Sequence, residues 1–279
     1  MEEMKANGKI SIVFRRRSDG KTYMAKQYYK LPMQVMKPHY YDKDGTAFVY
    51  SLNPAGGILQ HDRLLTEIVS EAGSDAVFTT PGNNKFYKMD EGYARVVNRL
   101  TVKSGGVLEY LPEHNVPFAK AKVFQENEFR VEKGAVLFAA DMVTSGRAAN
   151  GEVFQYDIYS SKTKIYVDGE LILYDSCRME PACENLMKMG LMDGRKSNGS
   201  MYVYAENINS DLKDKINALS SESVKIAAGF ITPELMVVRF IGDSIMDMVK
   251  ATQNVWDCCR KSILGKPAVR LRKEFLSIG

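Results

Sequence analysis

Between Lys9 and Val143 the apolar residues come in short runs of about five to eight, broken by turn signals, which is the pattern of an all-β body. The runs predict strands at 10–14, 22–29, 47–52, 64–69, 76–80, 94–101, 107–110, 123–131 and 135–143. Ser18-Asp19-Gly20, Asp44-Gly45, Ala72-Gly73, Gly105-Gly106 and Lys133-Gly134 supply turns between them. Further strands are predicted at 153–159, 164–167 and 170–178, the last two joined by Asp168-Gly169, a favoured two-residue hairpin turn. With connections this short, strands are expected to pair with their sequence neighbours in wound or stacked antiparallel sheets, β-helical or sandwich-like in form. A parallel α/β core is excluded, because no helical period separates the strands to carry a crossover.

The pattern changes near Met187, where a loop with three glycines, Gly190, Gly194 and Gly199, follows. Residues 1–186 are read as the β-rich body, 187–200 as a linker loop, and 201–279 as an α+β portion packed on the body or continuous with it. In that portion, 201–205, 224–230 and 235–240 read as strands and 210–220 as a helix with Leu212, Ile216 and Leu219 on one face. A longer helix is predicted from Ser244 to about Ile263, with Ser244 and Asp247 in a capping arrangement and Gly265-Lys266-Pro267 ending it.

At 279 residues, 45% apolar and 26% charged, the chain has the makings of a sizeable core. A net charge of +4 is too small to argue for a nucleic-acid partner. Basic residues cluster at Arg15-Arg16-Arg17 and at Arg260, Lys261, Lys266, Arg270, Arg272 and Lys273, read as solvated faces or as a docking surface for an acidic protein. Neither a signal-peptide core nor an 18-residue apolar run is seen, so a cytoplasmic protein without membrane contact is expected. Cys177, Cys183, Cys258 and Cys259 fit no disulfide framework and are expected as thiols.

Little in the chain looks catalytic. The three histidines, His39, His61 and His114, are far apart, and no Gly-x-Ser-x-Gly elbow or phosphate-binding glycine loop is present. Cys177 and Cys183 lack the spacing of a structural zinc site, and the fifteen methionines are scattered as core fillers are. His61-Asp62 leaves open a metal-dependent phosphohydrolase, as imidazole and carboxylate both ligate metals.

Four blocks stand out: Ser51 to Leu64, with Asn53-Pro54, Gly56-Gly57 and His61-Asp62; Thr79-Thr80-Pro81-Gly82-Asn83-Asn84-Lys85-Phe86-Tyr87; Leu108-Glu109-Tyr110-Leu111-Pro112; and Gly146-Arg147-Ala148-Ala149-Asn150-Gly151-Glu152. In this order and spacing they resemble the urease accessory protein family called D in some bacteria and H in others, over about residues 26–265.

The resemblance implies a wound β architecture with two C-terminal helices. It implies a non-enzymatic scaffold that binds apo-urease, a helical accessory partner (F) and a GTP-hydrolysing nickel carrier (G), as part of a hetero-oligomer. Nickel is expected in transit, with no tightly bound cofactor. Asp62, Asp141, Glu152 and Asp175, with His61, are the expected relay, since carboxylates and water suit an ion that must be released. Gly56, Gly57, Lys85, Tyr87, Gly146, Arg147 and Gly151 are expected to shape loops or face partners.

Three departures from the family pattern are visible. His61 stands where glycine is usual, Asp175 where glutamate is commoner, and Ala268-Val269-Arg270-Leu271 replaces a Pro-Arg-x-Trp ending. The apolar stripe of Met248, Trp256 and Ile263 reads as core, while the resemblance puts the F partner near this region and makes Trp256 and Arg270 candidate contacts.

Overall fold

In the computed structural model, residues 5–271 are described. The chain winds between two sheets. Strands β1 (Gly8–Arg16) and β2 (Thr22–Lys30) lie in the first sheet, β3 (Gln34–Val35) and β4 (Ala47–Leu52) in the second. Alternation follows: β5 (Arg63–Ser70) in the first, β6 (Asp75–Thr79) in the second, then a short β7 (Asn84–Phe86). Next come β8 (Ala94–Val102) in the first, β9 (Val107–Leu111) in the second, and a short β10 (Asn115–Pro117) beside β7. After β11 (Lys122–Val131) in the first and β12 (Val136–Thr144) in the second, β13 (Ile158–Val167) and β14 (Glu170–Met179) finish the seven-stranded first sheet. The second sheet is completed by β15 (Ser197–Tyr204), β16 (Val224–Thr232) and β17 (Leu235–Gly242).

A mainly β, wound body with two C-terminal helices is as expected, but the pairing is not. Strands β1, β5, β8, β11 and β13 pair in parallel, as do β4, β6, β9 and β12. The turns at Gly73, Gly105 and Gly134 explain the difference. Each is a left-handed glycine, with φ of 73°, 72° and 79°, but it carries the chain from one sheet to the other and does not fold a strand back on its neighbour. The turns stack, with Gly73 N donating to Gly105 O at 3.1 Å and Gly105 N to Gly134 O at 3.0 Å. The crossover that parallel strands require is thus supplied by a strand of the facing sheet, and no helix is needed. Hairpins survive at β1–β2, β13–β14 and β16–β17.

Two further boundaries differ from expectation. Residues 153–157 are irregular, with Phe154 at φ 52°, and β13 then runs unbroken to Asp168-Gly169. Strand β15 starts at Ser197, inside the expected linker, and pairs with both β12 and β17.

Apolar side chains between the sheets, including Ile10, Phe14, Ile68, Phe78, Phe129 and Leu137, form one core. The other face of the second sheet is covered by α1 (Ser210–Asn217) and α2 (Ile245–Cys259), which bury Leu212, Ile216, Met248, Val255 and Trp256 against Phe138, Met201 and Val238. Asn209 caps α1 by accepting from Leu212 N at 2.9 Å, and Ser244 caps α2 by accepting from Asp247 N at 3.3 Å. Among the described residues no helix is long and apolar enough to cross a membrane.

Candidate functional site

The inward positions of the first sheet are apolar in one layer, polar in the next, and mixed in the one beyond, where Gln125 and Ser161 stand in register with Leu64 and Val96. Register places Ile68, Leu100, Phe129, Ile165 and Leu173 in one row, all in the main core. Two residues along, the row reads Thr66, Asn98, Asn127, Thr163 and Asp175. All of these but Asp175 are buried. Asn98 Nδ2 donates to Asn127 Oδ1 at 2.8 Å, and Asn127 Nδ2 to Thr163 Oγ1 at 3.3 Å. Across the gap, the second sheet sets Asp141, Ser200 and Arg239 in register. A band of amides, hydroxyls and carboxylates therefore crosses the interior, at a cost apolar packing would avoid.

Two cavities open on this band. The larger, about 220 Å³, is lined by Gly56, Gly57, Lys85, Tyr110, Asn98 and Asn127 among others, so loop residues of the sequence blocks meet the polar row there. The smaller, about 30 Å³, is lined by Ser161, Thr163, Asp175, Cys177, Tyr202 and Arg239. Asp141 stands in the wall of both. Its carboxylate accepts from Asn115 Nδ2 at 3.2 Å and from Ser161 Oγ at 2.6 Å. Burial pushes its pKa up, against the neutral hydrogen bonds that lower it.

Asp175 has a different environment. Burial acts to raise its pKa, but Arg239 Nη1 at 2.6 Å and the Tyr202 hydroxyl at 2.5 Å hold it below the usual carboxylate range. Burial lifts the neighbouring Cys177 thiol to about 11, so it is protonated at neutral pH.

The loop residues brace one another. Gly57 lies flat against Tyr87, where an added Cβ would sit 2.3 Å from the ring. Tyr87 meets Phe118 edge-on at 5.0 Å, and the Arg147 guanidinium lies 4.1 Å from the centre of the Phe118 ring. Arg147 donates twice to Glu152, once through Nε at 2.8 Å, and Glu152 also accepts from Ala119 N at 3.2 Å. The bond from Arg147 is the main reason that the Glu152 pKa is lowered. Gly146 at φ 125° and Gly151 at φ 79° make the backbone turns of this block, and Gly56 at φ 79° those of the first. Lys85 is exposed, and its carbonyl accepts from Ile58 N at 2.7 Å.

The expected relay acids are thus only partly brought together. Asp141 and Asp175 share the smaller cavity, whereas Asp62 and Glu152 line neither. Asp62 closes its own loop, accepting from Leu59 N at 2.8 Å and Asn7 Nδ2 at 3.3 Å. His61 is exposed at φ 68° with its ring packed over Gly92. Among the described residues no three His, Cys, Asp or Glu side chains are grouped to hold a metal.

Trp256 is buried, which contradicts an exposed partner contact: its indole N–H donates to the enclosed Glu109. The basic C-terminal cluster also divides. Arg260 is fully enclosed between Glu109 and Asp42, and Lys266 reaches Asp44 at 2.7 Å and Asp75 at 2.5 Å, so neither is free for an acidic partner. Arg270 is exposed, and Arg272 and Lys273 lie outside the described residues. All four cysteines are free thiols, as expected.

Sequence reasoning missed Asn98, Asn115, Asn127, Thr163 and Arg239. A signal was present: in β8 and β11 the alternation puts Asn98 and Asn127 on the face that carries Leu100 and Phe129.

Comparison with known proteins gives the family directly. The family model of the UreD urease accessory protein matches residues 6–274. The chain is 28% identical over 243 residues to the urease accessory protein UreD of Acetivibrio thermocellus, covering 85% of this chain and 93% of that one. It is 35% identical over 193 residues to that of Cenarchaeum symbiosum, covering 68% of each chain, and 27% identical over 271 residues to that of Escherichia coli, covering 95% and 96%. The family model spans nearly the whole chain, and the chain belongs to the UreD urease accessory protein family.

Proposed function

We propose that this protein is a non-enzymatic scaffold of urease maturation that docks on apo-urease with the F and G accessory partners and lets nickel pass along its interior polar band. The observation that carries the reading is Asp141, one carboxylate in the wall of two cavities whose hydrogen-bond donors, Asn115, Ser161, Gln125 and Asn127, are all neutral among the described residues. A buried carboxylate without a cationic partner is costly. A passing divalent ion is a counter-ion for it. At about 30 Å³ the smaller cavity has room for roughly two waters, given the ~10–15 Å³ that each needs. An ion entering it sheds most of its water and takes oxygen ligands from the wall in exchange.

The test is co-expression of Asp141→Leu and Asp141→Asn variants with urease and its accessory proteins, followed by metal analysis of the purified urease. Nickel content should fall while the accessory complex still co-purifies. Urease fully loaded with nickel by Asp141→Leu would overturn the relay, and failure of the wild-type chain to co-purify with any of these proteins would overturn the scaffold.

A further inference from the structure

The smaller cavity already contains a cation of the protein's own. Arg239 projects from an inward position of β17, in register with Ser200 and Asp141, and crosses the gap between the sheets to Asp175 on β14. Its guanidinium meets Asp175 Oδ2 at 2.6 Å and Ser200 Oγ at 2.6 Å. The two partners differ in exposure: 52% of the Arg239 side chain is open to solvent against 17% of that of Asp175. Arg239 therefore lies on the solvent side of the pair.

An arginine in this place has two electrostatic effects. It neutralises the Asp175 carboxylate, which it meets at 2.6 Å, and it repels any second cation that approaches. Its contribution to folding is small, because a half-exposed ion pair is weakened by water and by the entropy of holding a long side chain still. The same weakness lets the side chain rotate outward without disturbing β17, whose backbone is paired on both sides.

We propose that Arg239 is the gate of the smaller cavity: its guanidinium occupies the cation position on Asp175, and a metal ion passes only when the side chain swings out to solvent. This rests on the relay reading above and supplies its regulation. With the gate closed, the isolated protein holds little metal. With the gate removed, Asp175 and Asp141 face the same small space without a resident positive charge, and the cavity becomes a cation trap.

The experiment is equilibrium dialysis of the purified full chain against Ni²⁺, with folding checked by circular dichroism and melting. Arg239→Met should bind Ni²⁺ at least tenfold more tightly than wild type, Arg239→Lys should stay near wild type, and Arg239→Met with Asp175→Asn should lose the gain. Should Arg239→Met not fold, Arg239→Gln, which keeps a donor for Ser200, takes its place in the same comparison. Equal affinity of the charge-removing variant and wild type overturns the gate, as does a gain that survives Asp175→Asn. Neither result bears on nickel content of urease made with Asp141→Leu, so the gate and the relay fail separately.

Discussion

Replacing Arg260 by methionine tests what holds the C-terminal helix to the β body. Arg260 leaves the end of α2, is fully enclosed, and bonds Glu109 on β9 through Nε at 3.2 Å, Asp42 through Nη2 at 2.6 Å and the Pro267 carbonyl through Nη1 at 2.7 Å. Methionine keeps much of the volume but removes the charge, and this strands Glu109, which is also fully enclosed. Burial already lifts the Glu109 pKa from 4.5 to about 7, against the opposing pull of Arg260. A folded-state value above the unfolded one means that the stability linked to this carboxyl is full below about 4.5 and is lost as pH rises through about 7. The size of that effect is roughly 3 kcal/mol, at about 1.4 kcal/mol for each pH unit between the two values.

In Arg260→Met the Glu109 pKa moves higher still, so the cost of the substitution depends on pH. At pH 8 a buried carboxylate that has lost its partner costs about 3–5 kcal/mol. At pH 5.5 Glu109 is neutral in both proteins, and what remains is the loss at Asp42 and the Pro267 carbonyl, about 1–3 kcal/mol. Urea denaturation at the two pH values reads the difference directly; at pH 8 the melting temperature should drop by roughly 6–10 °C, taking about 2 °C per kcal/mol for a chain of this size. Adding Glu109→Gln should bring the loss at pH 8 down to the level seen at pH 5.5, because the uncompensated carboxylate is removed while the bonds to Asp42 and Pro267 stay lost. A loss equal at the two pH values, or a double variant no more stable than the single one at pH 8, would refute the reasoning.

Gly57→Ala drives a Cβ to 2.3 Å from the Tyr87 ring and 2.9 Å from the Lys85 carbonyl, and should cost about 1–3 kcal/mol by overpacking, with partial recovery in Gly57→Ala with Tyr87→Ala on thermal melting. Lys266→Met should raise the Asp44 pKa from about 2, a value that hydrogen bonds from Lys266 and Thr46 impose against the opposing effect of burial. The stability carried by Asp44 is present above 3.8 and lost as pH falls through about 2, so an NMR titration of Asp44 in the variant should show its midpoint displaced upward. Asn127→Val leaves the buried Asn98 donor without its acceptor and should cost about 1–3 kcal/mol, whereas Asn98→Val with Asn127→Val should recover stability in urea denaturation but not nickel loading of urease. Recovery of both by the double variant would show that the polar row serves the fold alone.

What could be read from the chain follows from how local each determinant is. The strands were legible because each is a short apolar run between turn residues, and the cap of α2 because Ser244 acts within three residues of itself. The pairing was not legible. Gly73, Gly105 and Gly134 have the signature of hairpin turns, and only the stacking of one turn on the next makes them corners of a winding. The blocks at Gly57, Tyr87, Arg147 and Glu152 pointed to a real cluster, but Glu152 is held by Arg147 and the cluster acts as a brace beside the larger cavity.

The polar band shows why the winding and the cavities belong together. In an antiparallel meander, neighbouring residues of the chain would fill the same stretch of interior, and a polar row would need a polar residue in every hairpin. In a parallel winding, one inward position per coil recurs at the same height, so Thr66, Asn98, Asn127 and Thr163, distant in sequence, fall into one line that ends at Asp175. In β8 Asn98 is the one polar residue among Ala94, Val96, Leu100 and Val102, whereas β11 and β13 add Gln125 and Ser161 one row further on; the main core lies on one side of these polar positions and a second apolar cluster on the other. The parallel register that sequence reasoning missed is therefore the feature that aligns the polar row, and a one-residue slip of β8 or β11 would turn Asn98 or Asn127 outward and break that line at its centre.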